Sequence, residues 1–222
     1  MKRETMTFTH KTLFAAILSG AILTACSTDD DSIYPEFGTM MDSRDNQTYK
    51  IVTLGDATWM AENLNYKAND SWCYDNDADN CEIYGRLYTW NSAKDNVCPS
   101  GWHLPSNAEW DDLFDMVTED PKEKALKSTS WGDSSQTKVD PNNPYGAGTD
   151  LYGMRILPAG KSAYLSLAGR VFNGLGTEAN FWTSDNYDEK SAELICFRNL
   201  NGNRCGGYTI KTDGLSIRCI KD

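Results

Sequence analysis

Between Thr48 and Leu64, in TYKIVTLGDATWMAENL, apolar and polar residues alternate on either side of Gly55-Asp56. That period of two predicts a hairpin turning at Gly55-Asp56. Farther along, the period lengthens. Leu87, Trp90, Ala93 and Val97 recur every three or four residues, which predicts an amphipathic helix within Tyr84–Val97, closed by CPSG. Trp110, Leu113, Phe114 and Val117 repeat that spacing behind Ser106 and Glu109, a capping-box pair with Pro105 just outside. A second helix is therefore predicted from Ser106, with GWHLP as a short extended approach. The acidic stretch between Cys73 and Cys81 reads as a loop, and residues 128–150, rich in Ser, Asn, Pro and Gly, as a long surface loop. Glycine-broken, strand-like pieces follow from Tyr152 to Tyr187. The final AELICFRNLNGNRCGGYTIKTDGLSIRCIKD holds three alternating runs separated by Asn201-Gly202 and Asp213-Gly214. It predicts an antiparallel meander. Two helices and a meander make an α+β fold, with no internal repeat.

The N-terminus changes the picture. LFAAILSGAILTA is an uncharged apolar run of thirteen residues behind Lys2, Arg3 and Lys11, too short to span a membrane comfortably. Residues 1–25 read as a secretory signal. LTAC resembles the bacterial lipobox, in which the cysteine is acylated, so Cys26 is the expected lipidation site, carrying palmitate-like chains. Each buried methylene contributes about 0.8 kcal/mol, enough to anchor a chain that does not span. Residues 26–41 read as an acidic, unstructured tether whose Ser/Asp-rich start resembles the signal of surface-displayed lipoproteins. The expectation is a lipid-anchored protein of the outer membrane, exposed at the cell surface, with one domain over residues 42–222.

Without residues 1–25 the chain has 18 basic and 31 acidic residues, a balance of −13. Nucleic acid and anionic surfaces are poor partners for it. Polysaccharides, cationic partners and divalent ions remain.

Six cysteines follow the anchor, an even set suited to three disulfides in an oxidising compartment. A two-residue turn at Asn201-Gly202 would set Leu200 opposite Asn203, Cys205 opposite Arg198 and Cys196 opposite Gly207. Cys196 and Cys205 are then diagonal neighbours on one face, at the limit of disulfide reach. A turn at Asp213-Gly214 sets Cys219 opposite Tyr208, on the other face from Cys205 unless a bulge at Gly206-Gly207 flips the parity. Cys73 and Cys81 form the simplest local staple. Cys98 and Cys219 remain, as an end-to-end closure. Spacing ranks this among fifteen possible pairings without fixing it.

His103 is the one histidine left once residues 1–25 are removed. It lies between Trp102 and Leu104 with no activated nucleophile in its neighbourhood and no second imidazole for a metal, so a structural role is expected.

The blocks YKIVTLGDATWMAENLNY, CYDNDADNCEIYGRLYTWNSA, CPSGWHLPSNAEW, LKSTSW, YGMRILPAG, FWTS and LSIRCIKD resemble, in order, those of the Fibrobacter succinogenes major paralogous domain, over about residues 42–222. YGMRILPAG departs from the usual pattern, which has an aromatic after the Gly and a small residue before the Leu. That family in turn resembles the C-type-lectin-like fold, which includes the formylglycine-making enzymes. The resemblance implies a C-type-lectin-like domain closed by Cys98–Cys219, and little about function, because this fold hosts many sites.

Two chemistries are those of that fold's relatives, a sugar site and a copper oxidase, and a third, a calcium loop, comes from the spacing of the acidic residues. A calcium-dependent sugar site lacks its motifs: DPN at Asp140–Asn142 precedes FWTS, and WTSDN is only loosely similar to the second element. Asp75, Asp77 and Asp79 alternate as in calcium loops, but the turn glycine is missing and Arg86 stands where the closing Glu belongs. A copper oxidase would need Cys196 and Cys205 as a reactive pair. No enzyme is expected and no cofactor, calcium at the acidic loop being the one candidate. Trp131, Asn143, Tyr145 and Tyr152, near the long loop, are the candidate ligand contacts, with aromatic faces for sugar rings; Trp182 is assigned to the core. The reading is a non-catalytic binding module for extracellular glycan or an envelope protein, using residues 128–150 and 173–190. A structural component of an envelope assembly is the alternative.

Overall fold

The computed structural model describes residues 34–131, 147–199 and 205–222. The predicted first hairpin is present: β2 (Thr48–Leu54) and β3 (Ala57–Met60) pair with Leu54 opposite Ala57 across Gly55-Asp56. The pairing extends backwards. Glu36–Met41, assigned above to the unstructured tether, is a strand, β1, antiparallel to β2 from Glu36–Thr53 to Met41–Thr48. It is an edge strand with mostly exposed side chains, which explains why its sequence lacks a buried alternation.

The acidic loop is also more ordered than expected. After β4 (Ser71–Trp72), a 3₁₀ turn (Tyr74–Asn76) leads into helix α1 (Ala78–Tyr84). The Asp77 side chain accepts from the Asp79 amide as the N-cap, and the Cys73–Cys81 disulfide ties the approach to the helix. Gly85 ends α1 with φ +74; a Cβ there would stand 2.8 Å from Asn63 Cβ.

The predicted helix over Tyr84–Val97 is mostly absent. Leu87–Tyr88 form strand β5, paired with β4, and only Trp90–Lys94 are helical, as α2. Two facts override the periodicity. Tyr88 exchanges backbone hydrogen bonds with Leu215, and Thr89, in extended geometry, caps α2 by accepting from Ser92 N. Apolar residues three apart thus reach the core from different elements. The second helix, α3 (Asn107–Met116), has its capping box and follows the short strand β6 (Trp102–His103). A further short helix, α4 (Lys122–Leu126), comes before the long loop.

The rest of the chain forms β7 (Ala159–Leu165), β8 (Gly169–Leu175), β9 (Glu178–Asn186), β10 (Ser191–Arg198), β11 (Cys205–Ile210) and β12 (Ile220–Lys221). Two five-stranded sheets result, in the orders β1-β2-β3-β12-β6 and β11-β10-β9-β7-β8. The second is mixed, since β7 meets β9 in parallel at Gly160–Ala179.

The meander is only half realised. β10 and β11 pair with Cys196 directly opposite Cys205, a register two residues from the diagonal one expected; the Asn201-Gly202 turn lies outside the described residues. The third run leaves the sheet instead of pairing with β11. Gly214 bridges to Ser162, Leu215 to Tyr88 and Ser216 to Phe181, and Ile220 ends between Trp59 and His103. From Asp213 to Ile220 every residue is buried, so this run is enclosed on both faces, unlike a sheet strand with a wet side. Cys219 therefore lies far in register from Tyr208 and bonds Cys98, beside the first sheet.

Helix α3 lies between the sheets. The Trp110 ring centroid is 4.8 Å from that of Trp59 on β3, 5.4 Å from Phe181 on β9 and 6.3 Å from Phe197 on β10. One indole therefore joins both sheets. Among the described residues the architecture is α+β, with four helices and three disulfides.

Candidate functional site

Of the four residues expected to bind ligand, the two that are described, Trp131 and Tyr152, are buried. Trp131 is fully buried, with Nε1 donating to the Ile156 carbonyl at 2.6 Å and the Lys127 ammonium 4.3 Å from the ring centroid. Burial pushes that ammonium down to about 8. Tyr152 is also buried, its hydroxyl accepting from Thr118 N. Both belong to the core because they close the base of the long loop. Asn143 and Tyr145 lie outside the described residues, as does Cys26. Trp182 is core as expected, donating to the Tyr88 carbonyl at 2.7 Å. Residues 173–190 are mainly the end of β8 and the whole of β9, not a loop. Asp75, Asp77 and Asp79 do not converge: Asp77 is committed to capping, and no group of three or more His, Cys, Asp or Glu among the described residues could hold a metal.

A polar groove of about 550 Å³ opens elsewhere, between the segment after β3 and helix α2. One wall carries Tyr66, Lys67, Asn69 and Asp70, the other Asn91, Ser92, Asp95 and Asn96. The walls are braced. Arg44 is fixed by Asp42, with Nε 2.9 Å from Oδ1 and Nη2 2.6 Å from Oδ2. It then donates to the Val97 carbonyl at 2.9 Å and lies 3.8 Å over the Tyr66 ring. Burial raises the Asp42 carboxyl, but the Arg44 hydrogen bonds outweigh it and hold the group below its ordinary value. A second brace joins Ser92 Oγ to the Asn69 carbonyl at 2.8 Å. Asp70 and Asn96 both sit at φ 51, the left-handed region that Asp and Asn tolerate best.

Between these braces, the side chains of Lys67, Asn69, Asp70, Asn91, Asp95 and Asn96 carry no hydrogen bond to the described residues. Three amides and two carboxylates thus face the groove with their donors and acceptors free, on fixed backbone. Amides both donate and accept, and carboxylates accept twice, the complement that a polyol presents.

His103 occupies a different place. Its Nδ1 is 2.7 Å from Asp222 Oδ1 and its Nε2 2.7 Å from Glu109 Oε1. Burial lowers its proton affinity, but the two carboxylates outweigh this and raise the imidazole above its ordinary value. Both nitrogens are engaged by carboxylate oxygens. Such a ring is a clamp between β6, α3 and the residue after β12.

Residues 52–221 match the family described as the Fibrobacter succinogenes major domain. The chain belongs to this family. Among curated proteins and among solved structures, none matches it.

Within the Fibrobacter succinogenes major domain, both groove walls and the His103–Glu109 pair lie inside the matched residues, whereas Asp42 and Arg44, the first brace, precede them and Asp222 follows them. Sequence reasoning passed over the groove because one wall, NSAKDN, was absorbed into the helix expected over Tyr84–Val97 and the other, NYKAND, carries no motif. The available signal was the density of Asn and Asp on both sides of a strand pair, with Tyr66 beside them. Arg44 could not have been singled out, since its partners are a residue two positions away and two carbonyls more than fifty away.

Proposed function

We propose that this domain is a non-catalytic binding module for extracellular glycan, held on the outer face of the outer membrane by lipid on Cys26, and that the groove between Tyr66–Asp70 and α2 is its site. The observation that carries this reading is the set of unpartnered amides and carboxylates on braced walls. Preorganised polar groups avoid the ordering cost that weakens binding by loose loops. The fold is read as C-type-lectin-like; the Cys98–Cys219 closure, 121 residues apart, and the order of helices and strands support it. The non-catalytic reading rests on His103 having both nitrogens engaged and on six cysteines paired in disulfides.

Pull-down of the non-lipidated chain on neutral polysaccharides tests the site. Retention should be lost in Asn91→Ala and in Asn69→Ala, with melting unchanged. Binding that survives both substitutions, or no retention on any neutral polysaccharide, overturns the groove as a glycan site.

A second reading, a structural component of an envelope assembly, has its own observation. The β7–β8 hairpin tip exposes Tyr164 (56%), Leu165 (50%) and Leu167 (101%). Apolar side chains presented this way suit a protein contact. An envelope complex that dissociates on Leu167→Asp, with no polysaccharide retention, would favour this reading over the first.

A further inference from the structure

β11 is an edge strand, separated from β9 by β10. Tyr187 follows the last residue of β9, and Tyr208 stands on β11 opposite Glu193. Their rings meet across β10, centroids 3.8 Å apart and planes 6° from parallel. Both are open to solvent, at 51% and 57% exposure. Every other close ring pair among the described residues includes a buried ring. At contact separation no planar ligand fits between the two, so the pair is not a sandwich site for a sugar or a base.

The geometry instead brings two phenols together where a solvent-borne oxidant can reach them. The Tyr208 hydroxyl, the first influence on Tyr187, pushes the Tyr187 phenol above its ordinary value, with Asp188 and Glu193 adding to it. These carboxylates are also nearby acceptors for a proton released on oxidation. Three disulfides suit the chain to a compartment where oxidants operate.

We infer that Tyr187 and Tyr208 form an oxidative cross-linking site, coupled through their ortho carbons into a dityrosine by one-electron oxidants of the haem-peroxidase–peroxide class. Each phenol gives up one electron and one proton to become a phenoxyl radical. The radicals join by a carbon–carbon bond between ortho positions, and the two ring hydrogens at the new bond move to the oxygens, restoring both phenols. Two electrons and two protons leave the protein in all, and the peroxide is reduced to water. The new bond fastens the edge strand to the β9–β10 turn. Cys196–Cys205 already holds the opposite end of the β10–β11 pair, so β11 becomes tied at both ends, one tie resisting thiols. An edge strand held this way is a poorer template for pairing with another chain.

The disulfide-intact chain, dilute, is treated with a haem peroxidase and hydrogen peroxide. Expected are a monomer lighter by two hydrogens, blue dityrosine fluorescence that survives reduction, and a linked pair of peptides carrying Tyr187 and Tyr208 by tandem mass spectrometry. Tyr187→Phe and Tyr208→Phe keep the rings but remove a reacting phenol, and each should bring monomer fluorescence to background. Fluorescence that persists in both variants, links among other tyrosines only, or coupling found solely in dimers would overturn the assignment.

Discussion

Arg218 is wholly enclosed, yet among the described residues its guanidinium has no carboxylate in hydrogen-bond reach. It donates instead to Asn63 Oδ1 (2.6 Å), to the Met60 and Met154 carbonyls (3.0 and 2.6 Å) and to the Arg155 carbonyl (2.9 Å). Burial pushes its proton affinity down to about 9, but it is still a cation at neutral pH. The planar fork joins the end of β3, the turn at Met154-Arg155 and the last run in one network. Arg218→Met would keep the volume and leave four acceptors unpaired. Each orphan costs about 1–3 kcal/mol, so a loss of at least about 3 kcal/mol is expected in urea unfolding. Arg218→Lys, with fewer donors and no fork, should fall between. Full stability in the Met variant would contradict this role.

His103 gives a pH dependence whose sign is fixed. Its folded proton affinity is raised by Glu109 and Asp222 against burial, so the protonated ring is favoured in the folded chain. The stabilisation is complete below about pH 6.5, the ordinary imidazole value, and is lost as pH rises through the higher folded value. With the imidazole side chain 42% exposed, its size stays below about 1 kcal/mol. His103→Gln should abolish that fall in melting temperature on the alkaline side. A variant with an unchanged pH profile would show that the clamp does not titrate.

At the scale of elements, α3 shows how one residue serves two structures. Ser106 N and Oγ both donate to Glu109 Oε2 at 2.7 Å, while Oε1 of the same carboxylate takes His103. Ser106→Ala should cost about 1 kcal/mol through the lost cap. Glu109→Gln retains a capping-box residue but removes the charge facing the imidazole, so it should flatten the pH profile more than it lowers stability at alkaline pH. Thermal melts across pH on both variants separate the two roles. Elements of this kind were legible in sequence because their determinants are local: the cap, the Gly55-Asp56 turn and the one-face spacing of Trp110, Leu113 and Phe114. The helix expected over Tyr84–Val97 was not, since Tyr88 is claimed by Leu215, more than a hundred residues away. The same distance hid the course of Leu215–Cys219: its alternation is real, but both faces are covered. The groove was illegible for a related reason, as its polar residues acquire meaning only when Arg44 and Ser92 lock two remote turns together.

For the whole molecule, the three disulfides divide unequally. Cys73–Cys81 and Cys196–Cys205 span sequence separations of 8 and 9 and reinforce neighbouring structure, whereas Cys98–Cys219 spans 121 and joins the end of the α2 segment to the final run. In the chain-entropy account, closing the long loop contributes roughly 5 kcal/mol and each short one roughly 2.5. Removing Cys98–Cys219 as a double Ser variant should therefore cost about 2.5 kcal/mol more than removing Cys73–Cys81. The denatured states differ too. Only loss of the long loop lets the unfolded chain expand substantially, so the slope of urea unfolding should steepen in that variant and hold nearly constant in the other. Midpoint and slope together test the idea, because a purely native-state loss would move the midpoint alone. Equal costs with equal slopes would mean that the terminal run is held by its own burial, Leu215, Ile217 and Cys219 being fully enclosed, and that the long-range bond only reports where packing has already placed it.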